Sequence, residues 1–498
     1  MAESVKVPWV NWSGSQKIHA QRVEHPTSLA ALREIVRDVS ARSGRMKAVA
    51  TGLSFSDILQ SDDTLVETTG ILGEADAGAL LPLEEELWRA SVPASPLIRV
   101  ACGARIRALN GALARAGLAF TNLGGYDGQT LIGAISTSTH GSGLRLPPLS
   151  DGVRSLDLIT TDGALFRIEP ANGLTDPAKF AKRYGGVMTL VQSDHWFWPV
   201  VVSMGCMGII YSVTLSVSPA YRLHEVRRVR LWSEVVRELL TLAPLRQFRN
   251  YEVEINPYRR RDGDYSCLVT ERNVAPPDVR TNPVPSGQRS AESITFLASS
   301  QAAVLKLMIK EPRLIPGILE TGLAALETQG AAHVDDSFRV YNVGEINTAD
   351  VVSGEYFFPL RDCAFLKGIQ RLLDTVERNR SLGIYQPTPL SVRFVAGSKA
   401  PLSMARSEPH CTVEIALFSG TPGASKALLN YEQACLDFGG RPHWGQINEL
   451  TGKPGWLREA YPGLDVWLRA YERLNTRGIF NNHFTDRLGL SMPLRVRP

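Results

Sequence analysis

The stretch Gly133-Ala134-Ile135-Ser136-Thr137-Ser138-Thr139-His140-Gly141-Ser142-Gly143 decides the reading of the fold. It holds no acid, lysine or arginine, and apart from Ile135 and His140 only small side chains. Small residues let a backbone come close to a phosphate, and successive N–H groups form an anion-binding nest. The hydroxyls of Ser136, Thr137 and Thr139 add donors. A second turn of the same kind, Thr51-Gly52-Leu53-Ser54-Phe55-Ser56-Asp57, follows strand-like Met46–Ala50. Neither GxGxxG nor GxxxxGK(S/T) occurs, so a dinucleotide held here sits in a fold other than the Rossmann or P-loop kind.

Outward from these turns the pattern mixes helices and strands. Residues 26–43 read as a helix: Pro26 and Thr27 open it, Leu29, Leu32, Ile35, Val36 and Val39 line one face, and Gly44 closes it. A second helix is expected from about Ala104 to Ala116, stopping at Gly117, before a low-charge loop from Asn122 to Gly143. Leu156–Thr161 and Ala164–Ile168 flank Asp162-Gly163, a hairpin signal. The run Trp196–Tyr221 carries no acid, lysine or arginine and is long enough for a membrane helix. Pro199, Gly205, Gly208 and the β-branched residues there favour buried strands around a tight glycine turn instead. Between about 222 and 345 the pattern loosens, with Pro and polar residues clustered at 275–290 and a helical stretch near Ala303–Ala325. A strand at Glu355–Phe358, a helix at Asp362–Arg378, a strand pair at 390–397 and 410–418 and a last helix at Leu464–Leu474 follow. The fold class is α+β.

The 498 residues predict two or three domains, and 44% apolar with 21% charged residues is an ordinary globular composition, not disorder or collagen. The net charge of +4 comes from 54 basic and 50 acidic residues scattered along the chain. No basic run exceeds Arg259-Arg260-Arg261, so nucleic acid is not an expected partner. The six cysteines lie far apart without a CxxC pair, which argues against a metal site or disulfide framework and suits a reducing cytoplasm. The first residues, MAESVKVPWVNWSGS, lack the apolar core of a signal peptide, and no integral membrane segment is expected.

Five segments taken together resemble one family. They are Trp9-Val10-Asn11-Trp12; Gly52-Leu53-Ser54-Phe55-Ser56-Asp57; GAISTSTHGSG at 133–143; MGCMGIIYSVTL at 204–215; and RPHWGQ at 441–446 with GIFNNHF at 478–484. Their order and spacing resemble the FAD-linked oxidases of the vanillyl-alcohol oxidase type, specifically the aldonolactone and alditol oxidase branch. In the middle of the chain only Glu355-Tyr356 with Pro359, and Val392-Arg393-Phe394, support it. The resemblance implies an FAD-binding domain of two α+β subdomains at 1–220. It further implies a substrate or cap domain with a large antiparallel sheet at 221–440, and a segment at 441–498 that returns to the FAD domain. Thr51, Gly52, Leu53, Ser54 and Phe55 would hold the pyrophosphate. Gly125, Thr130, Gly133, Ser136, Thr137, His140 and Gly141 would line the diphosphate and flavin, and Ile209 and Ile210 would contact the adenosine part.

The departures from the family pattern matter as much. Many relatives carry a histidine where this chain has Leu53, and that histidine bonds covalently to the flavin; leucine has no nucleophile, so FAD is expected to be held by non-covalent contacts. Relatives read a polyol or lactone with a Glu-x-Arg pair, matched here by Ser391-Val392-Arg393. A histidine proposed to help deprotonate the alcohol is matched by Glu414, and a lysine facing the flavin N1–C2=O edge by Gln446. The pocket positions therefore keep only Arg393, and a simple sugar lactone or alditol is not the expected substrate. Arg393 either pairs with Glu414 or binds the substrate; Glu414 is a general-base candidate or a solvated strand residue. His443 is a base candidate or a support for the flavin side, and His140 a structural hydrogen-bonder of the cofactor loop. The first expectation is an FAD-dependent oxidoreductase moving a hydride from a small-molecule C–H to flavin N5, with O₂ or another electron acceptor. The alternative is a flavoenzyme of the same fold doing oxidative cyclisation, desaturation or non-redox elimination; an FAD-binding protein without catalysis is a third.

Overall fold

The computed structural model describes residues 7–71, 80–90, 95–283, 302–329, 332–342, 351–450 and 454–491. The first helix runs Leu29–Ala41, shorter at both ends than the expected 26–43. The Ser28 side chain accepts the Ala31 N–H and so fixes the start, leaving Pro26 and Thr27 outside. Leu32, Val36 and Val39 form its buried face over the parallel strands Arg22–Glu24, Thr64–Glu67 and Met46–Val49. The second helix is Ile106–Arg115, and the hairpin about Asp162-Gly163 is made by Val153–Ile159 and Leu165–Glu169.

These two strands belong to a six-stranded sheet with Met188–Gln192 on one side and Ile209–Ser216, Leu97–Ala101 and Leu80–Leu81 on the other. The uncharged run after Trp196 is only half strand. Asp194–Val201 is a helix that buries Phe197, Val200 and Val201 at helical spacing, followed by a turn and then the strand Ile209–Ser216. The β-branched Val200-Val201-Val202 favours a strand, but tertiary packing on the sheet overrides that propensity. Among the described residues no helix is long and apolar enough to cross a membrane.

The weakly patterned middle of the chain supplies much of an eight-stranded antiparallel sheet. Its order is Ala332–Asp336, Arg222–Leu231, Ser266–Val274, Asn250–Ile255, Leu390–Val395, His410–Phe418, Val351–Pro359 and Arg441–Pro442. Part of the polar cluster at 275–290 falls outside the described residues. One face of this sheet is apolar: Tyr251, Val253, Tyr356, Phe358, Val392, Phe394, Val413 and Ile415 pack with the helices Ala364–Ser381 and Ala424–Leu436. Alternation along each strand puts the polar residues on the other face.

The C-terminal part returns to the N-terminal part of the chain. Trp444 and Trp467 are fully buried, and the helix Leu464–Leu474 lies on Asp194–Val201. Met46 donates its N–H to the Ile479 carbonyl at 2.7 Å, and the Asn482 amide reaches the Ile58 carbonyl at 2.9 Å. Arg487 holds Asp57 by two hydrogen bonds of 2.8 Å. Trp467 also donates its indole N–H to the Val202 carbonyl at 3.0 Å. Trp467→Ala should therefore destabilise the protein by about 3–5 kcal/mol, the range for truncating a buried large aromatic. Denaturant unfolding followed by tryptophan fluorescence and circular dichroism checks this; a loss below about 1 kcal/mol would show that the returning helix carries little of the fold.

Candidate active site

Two clefts meet between the N-terminal part of the chain and the polar face of the large sheet. The deeper one is lined along the strand Met46–Val49, the turn after it, the region of the short helix Leu131–Ser136 and the turn Ser203–Gly208. Gly52 has φ +64°, and a Cβ there would lie 2.9 Å from the Trp9 ring. The turn is fixed from three directions: Trp12 N–H donates to the Gly52 carbonyl at 2.9 Å, the Asn11 amide to the Ser54 carbonyl at 2.9 Å, and Phe55 N–H to the Gly445 carbonyl at 2.8 Å. Across the cleft the Thr130 hydroxyl accepts the Gly133 N–H at 3.3 Å and caps its helix. Gly208, at φ +141°, leaves room where a Cβ would lie 2.5 Å from the Ile159 carbonyl oxygen.

Thr51, Gly52, Leu53, Ser54, Thr130, Gly133, Ser136, Thr137, Ile209 and Ile210 all line this cleft. Its walls are small, hydroxylic and apolar, with no carboxylate among the described lining residues, which suits a dinucleotide diphosphate. Its empty space, counted to open solvent, is about 1040 Å³, at the upper end of ligand-site sizes. Gly141 lines neither cleft. A Cβ there would lie 2.3 Å from the Leu123 carbonyl oxygen, so its lack of a side chain serves the approach of two chain segments. Lys47, Ser203, Met204, Gly205 and Gly208 also line the deep cleft; the segment 204–215 and its two glycines stood out in the sequence without a site role, and Lys47 and Ser203 did not.

The second cleft lies over the polar sheet face and takes in Phe55, Gly125, His140, Arg393, Glu414, His443 and Gln446. Glu414 stands opposite Ser391 on one neighbouring strand and Glu355 on the other. Arg393 Nη1 lies 3.3 Å from Glu414 Oε2, while Ser353 Oγ is 3.1 Å and Gln446 Nε2 3.5 Å from Glu414 Oε1. Ser391, where the family resemblance places a carboxylate, donates instead to Glu254 at 2.5 Å. The guanidinium–carboxylate pair is thus kept, with the acid supplied by the adjacent strand.

Two histidines stand at the back of this cleft. His140 Nδ1 is 2.8 Å from the Gly141 carbonyl oxygen and Nε2 is 3.1 Å from Glu355 Oε1, so both ring nitrogens face oxygens. Burial pushes the Glu355 carboxyl up, but the charge and hydrogen bond of His140, with His443 and Arg393, outweigh it and hold the group well below the usual carboxylate range. His443 Nδ1 accepts the Gly445 N–H at 3.0 Å. Burial lowers the His443 pKa to about 4, Glu355 opposing the shift and His140 adding to it. A neutral His443 with Nδ1 engaged carries its hydrogen on Nε2. Glu355 and Trp12 belong to quoted segments but were given no site role, and Ser353 and Tyr126 were missed because single polar or aromatic residues on strands and loops carry no motif.

The chain matches the model of an FAD binding domain over residues 20–169 and that of D-arabinono-1,4-lactone oxidase over residues 213–488. It is 27% identical to an L-gulono-1,4-lactone dehydrogenase of Mycobacterium tuberculosis over 481 residues, 96% of this chain and 98% of the relative. It is 25% identical to an alditol oxidase of Streptomyces sp., covering 95% and 97% of the two chains. In fold it is similar to a solvent-stable cholesterol oxidase, with a TM-score of 0.74 and 16% identity over 97% of each chain. These matches weigh against one expectation. The loss of sugar-reading residues at 391, 414 and 446 argued against a sugar lactone or alditol, and for a cyclisation, desaturation or elimination. Relatives named for lactones and alditols nevertheless span nearly the whole chain, and the cross-strand Arg393–Glu414 pair keeps the pocket polar. With more than half of its length matched, the protein belongs to the D-arabinono-1,4-lactone oxidase family and is an FAD-dependent oxidoreductase.

Proposed function

We propose that the protein oxidises a hydroxyl-bearing carbon of an aldono-1,4-lactone or a closely related polyol, passing electrons to O₂ or another acceptor. The observation that carries this reading is the common wall of the two clefts: Leu53, Gln129, Thr139, His443 and Gln446 line both. A substrate over the polar sheet face therefore abuts whatever the deep cleft holds. FAD, when bound, supplies the hydride acceptor. Residues of both binding turns support its diphosphate and flavin, and Leu53, without a nucleophile, supports non-covalent attachment.

The chain's own residues orient the substrate and manage its proton. Arg393 donates to a substrate carbonyl or hydroxyl oxygen. Glu414, paired with Arg393, takes the hydroxyl proton as the C–H bond breaks. His443 acts as an Nε2–H donor and not as the base, since its other nitrogen is engaged and burial keeps it from taking a proton near neutral pH. Gln446 donates where relatives use a lysine, without bringing charge. The cysteines, all free and five of them buried, support a reducing compartment such as the cytoplasm.

Three outcomes test this reading. Purified protein should be yellow, oxidise an aldonolactone or alditol, and release all its FAD into the supernatant on acid precipitation; a washed pellet that stays fluorescent would contradict the Leu53 argument. Arg393→Met should lower kcat/KM on that substrate at least about tenfold, as loss of a charged hydrogen bond does, with FAD content unchanged. The pH profile should show no limb from His443 between about pH 5.5 and 8, because its pKa lies near 4 instead of 6.5. The unfolded chain takes up that proton below about pH 6.5 while the folded chain refuses it until about 4, so the His443 share of stability is full above 6.5 and lost as pH falls toward 4. Urea unfolding of wild type and His443→Gln at about pH 7 and about pH 5 reads that slope; equal slopes would refute it.

A further inference from the structure

Lys47 is a buried lysine that no step above uses. It lies on the strand Met46–Val49 with 3% of its surface exposed, and it lines the deep cleft. Among the described residues lining that cleft it is the only one with a charged side chain, His443 being neutral. Its ammonium donates to the Met204 carbonyl, its one hydrogen-bond partner among the described residues, although an ammonium has three N–H groups to place. No carboxylate of the described residues forms an ion pair with it. Burial lowers the Lys47 pKa; the groups that oppose the shift are the buried thiol of Cys206 and then Asp57, which is already held by Arg487 and His483. Gly205, at φ +68°, leaves the room the ammonium occupies: a Cβ there would stand 2.9 Å from Lys47 Nζ. An unpaired buried cation is costly unless an anion joins it. A cleft with no acid in its lining and a single fixed cation is built for a ligand of negative charge.

We propose that Lys47 supplies the positive charge that answers the diphosphate of FAD. This rests on the FAD reading above and deepens it, adding a charge to a site otherwise made of backbone N–H groups and hydroxyls. The sequence and structure interlock around that charge: Gly205 yields the space, Met204 holds the amine, and both line the same cleft as Thr51–Ser54.

Three variants of the holoenzyme separate charge from structure. Lys47→Arg keeps the charge, Lys47→Gln keeps a donor for the Met204 carbonyl without the charge, and Lys47→Met removes both. The readouts are FAD bound per chain after purification, the rise of FAD fluorescence on dilution, and thermal unfolding in excess FAD. Lys47→Arg should hold FAD nearly as wild type does. Lys47→Gln and Lys47→Met should release it at least about tenfold faster, the scale of one charge-assisted hydrogen bond, while unfolding in excess FAD within a few degrees of wild type. Competition should show the loss for ADP but not for riboflavin, which has no phosphate. Wild-type FAD retention in Lys47→Gln beside loss in Lys47→Met would overturn the proposal, leaving a lysine that only clamps the turn. So would failure of Lys47→Gln to fold even with FAD in the medium. A wild-type protein that takes up no FAD would instead sink the FAD reading itself.

Discussion

The active region depends on one constraint: the large sheet turns a charged face inward, and every ion on that face must be matched. Arg272 lies between Glu225 at 2.5 Å and Glu252 at 2.6 Å, and Arg227 also contacts Glu225. Ser391 answers Glu254, Arg393 answers Glu414, and Glu355 reaches across to His140 on the binding loop. Removing one partner of such a pair strands a buried charge at a cost of several kcal/mol. The face can thus be both polar enough to read hydroxyl groups and rigid enough to keep them in register.

The same pairing joins the two halves of the protein. His140 belongs to the glycine-rich loop and Glu355 to the sheet, so their contact sets where the polar face stands against the cofactor-side wall. His443 adds a backbone tie, its N–H donating to the Glu355 carbonyl at 2.8 Å. Chemistry at the boundary between the two clefts needs that alignment held to a fraction of an ångström.

Much of this was legible in the sequence where local chemistry speaks alone. The two small-residue turns, the body of the helix Leu29–Ala41 though not its Ser28 cap, the Asp162-Gly163 hairpin and the helix Leu464–Leu474 follow from spacing. The strand Arg222–Leu231 did not stand out, because its buried side includes Glu225 and Arg227, and paired charges inside a protein look like surface in a hydropathy pattern. The helix Asp194–Val201 was hidden for the opposite reason, its β-branched tail favouring a strand until packing decides. In the site, residues within a motif could be named as candidates, while Glu355, Ser353 and Lys47 gain a place there only from neighbours far away in the chain. Matching at Ser391 missed the carboxylate because position matching follows one strand, and Arg393 finds its acid, Glu414, on the next.

The turn after Met46–Val49 is held by Asn11 and Trp12 from one end of the chain and by Gly445 from the other, while Ile479 and Asn482 brace the strand and the residues beyond it. During synthesis the polypeptide emerges from its N-terminus, so the first binding turn is made early. It must then wait for most of the chain to follow before Gly445, the partner of Phe55, exists. The complete wall of the cleft thus needs chain from both sides of the large sheet. A chain that stops before that point lacks His443, Gly445 and Gln446, and with them part of the cleft wall.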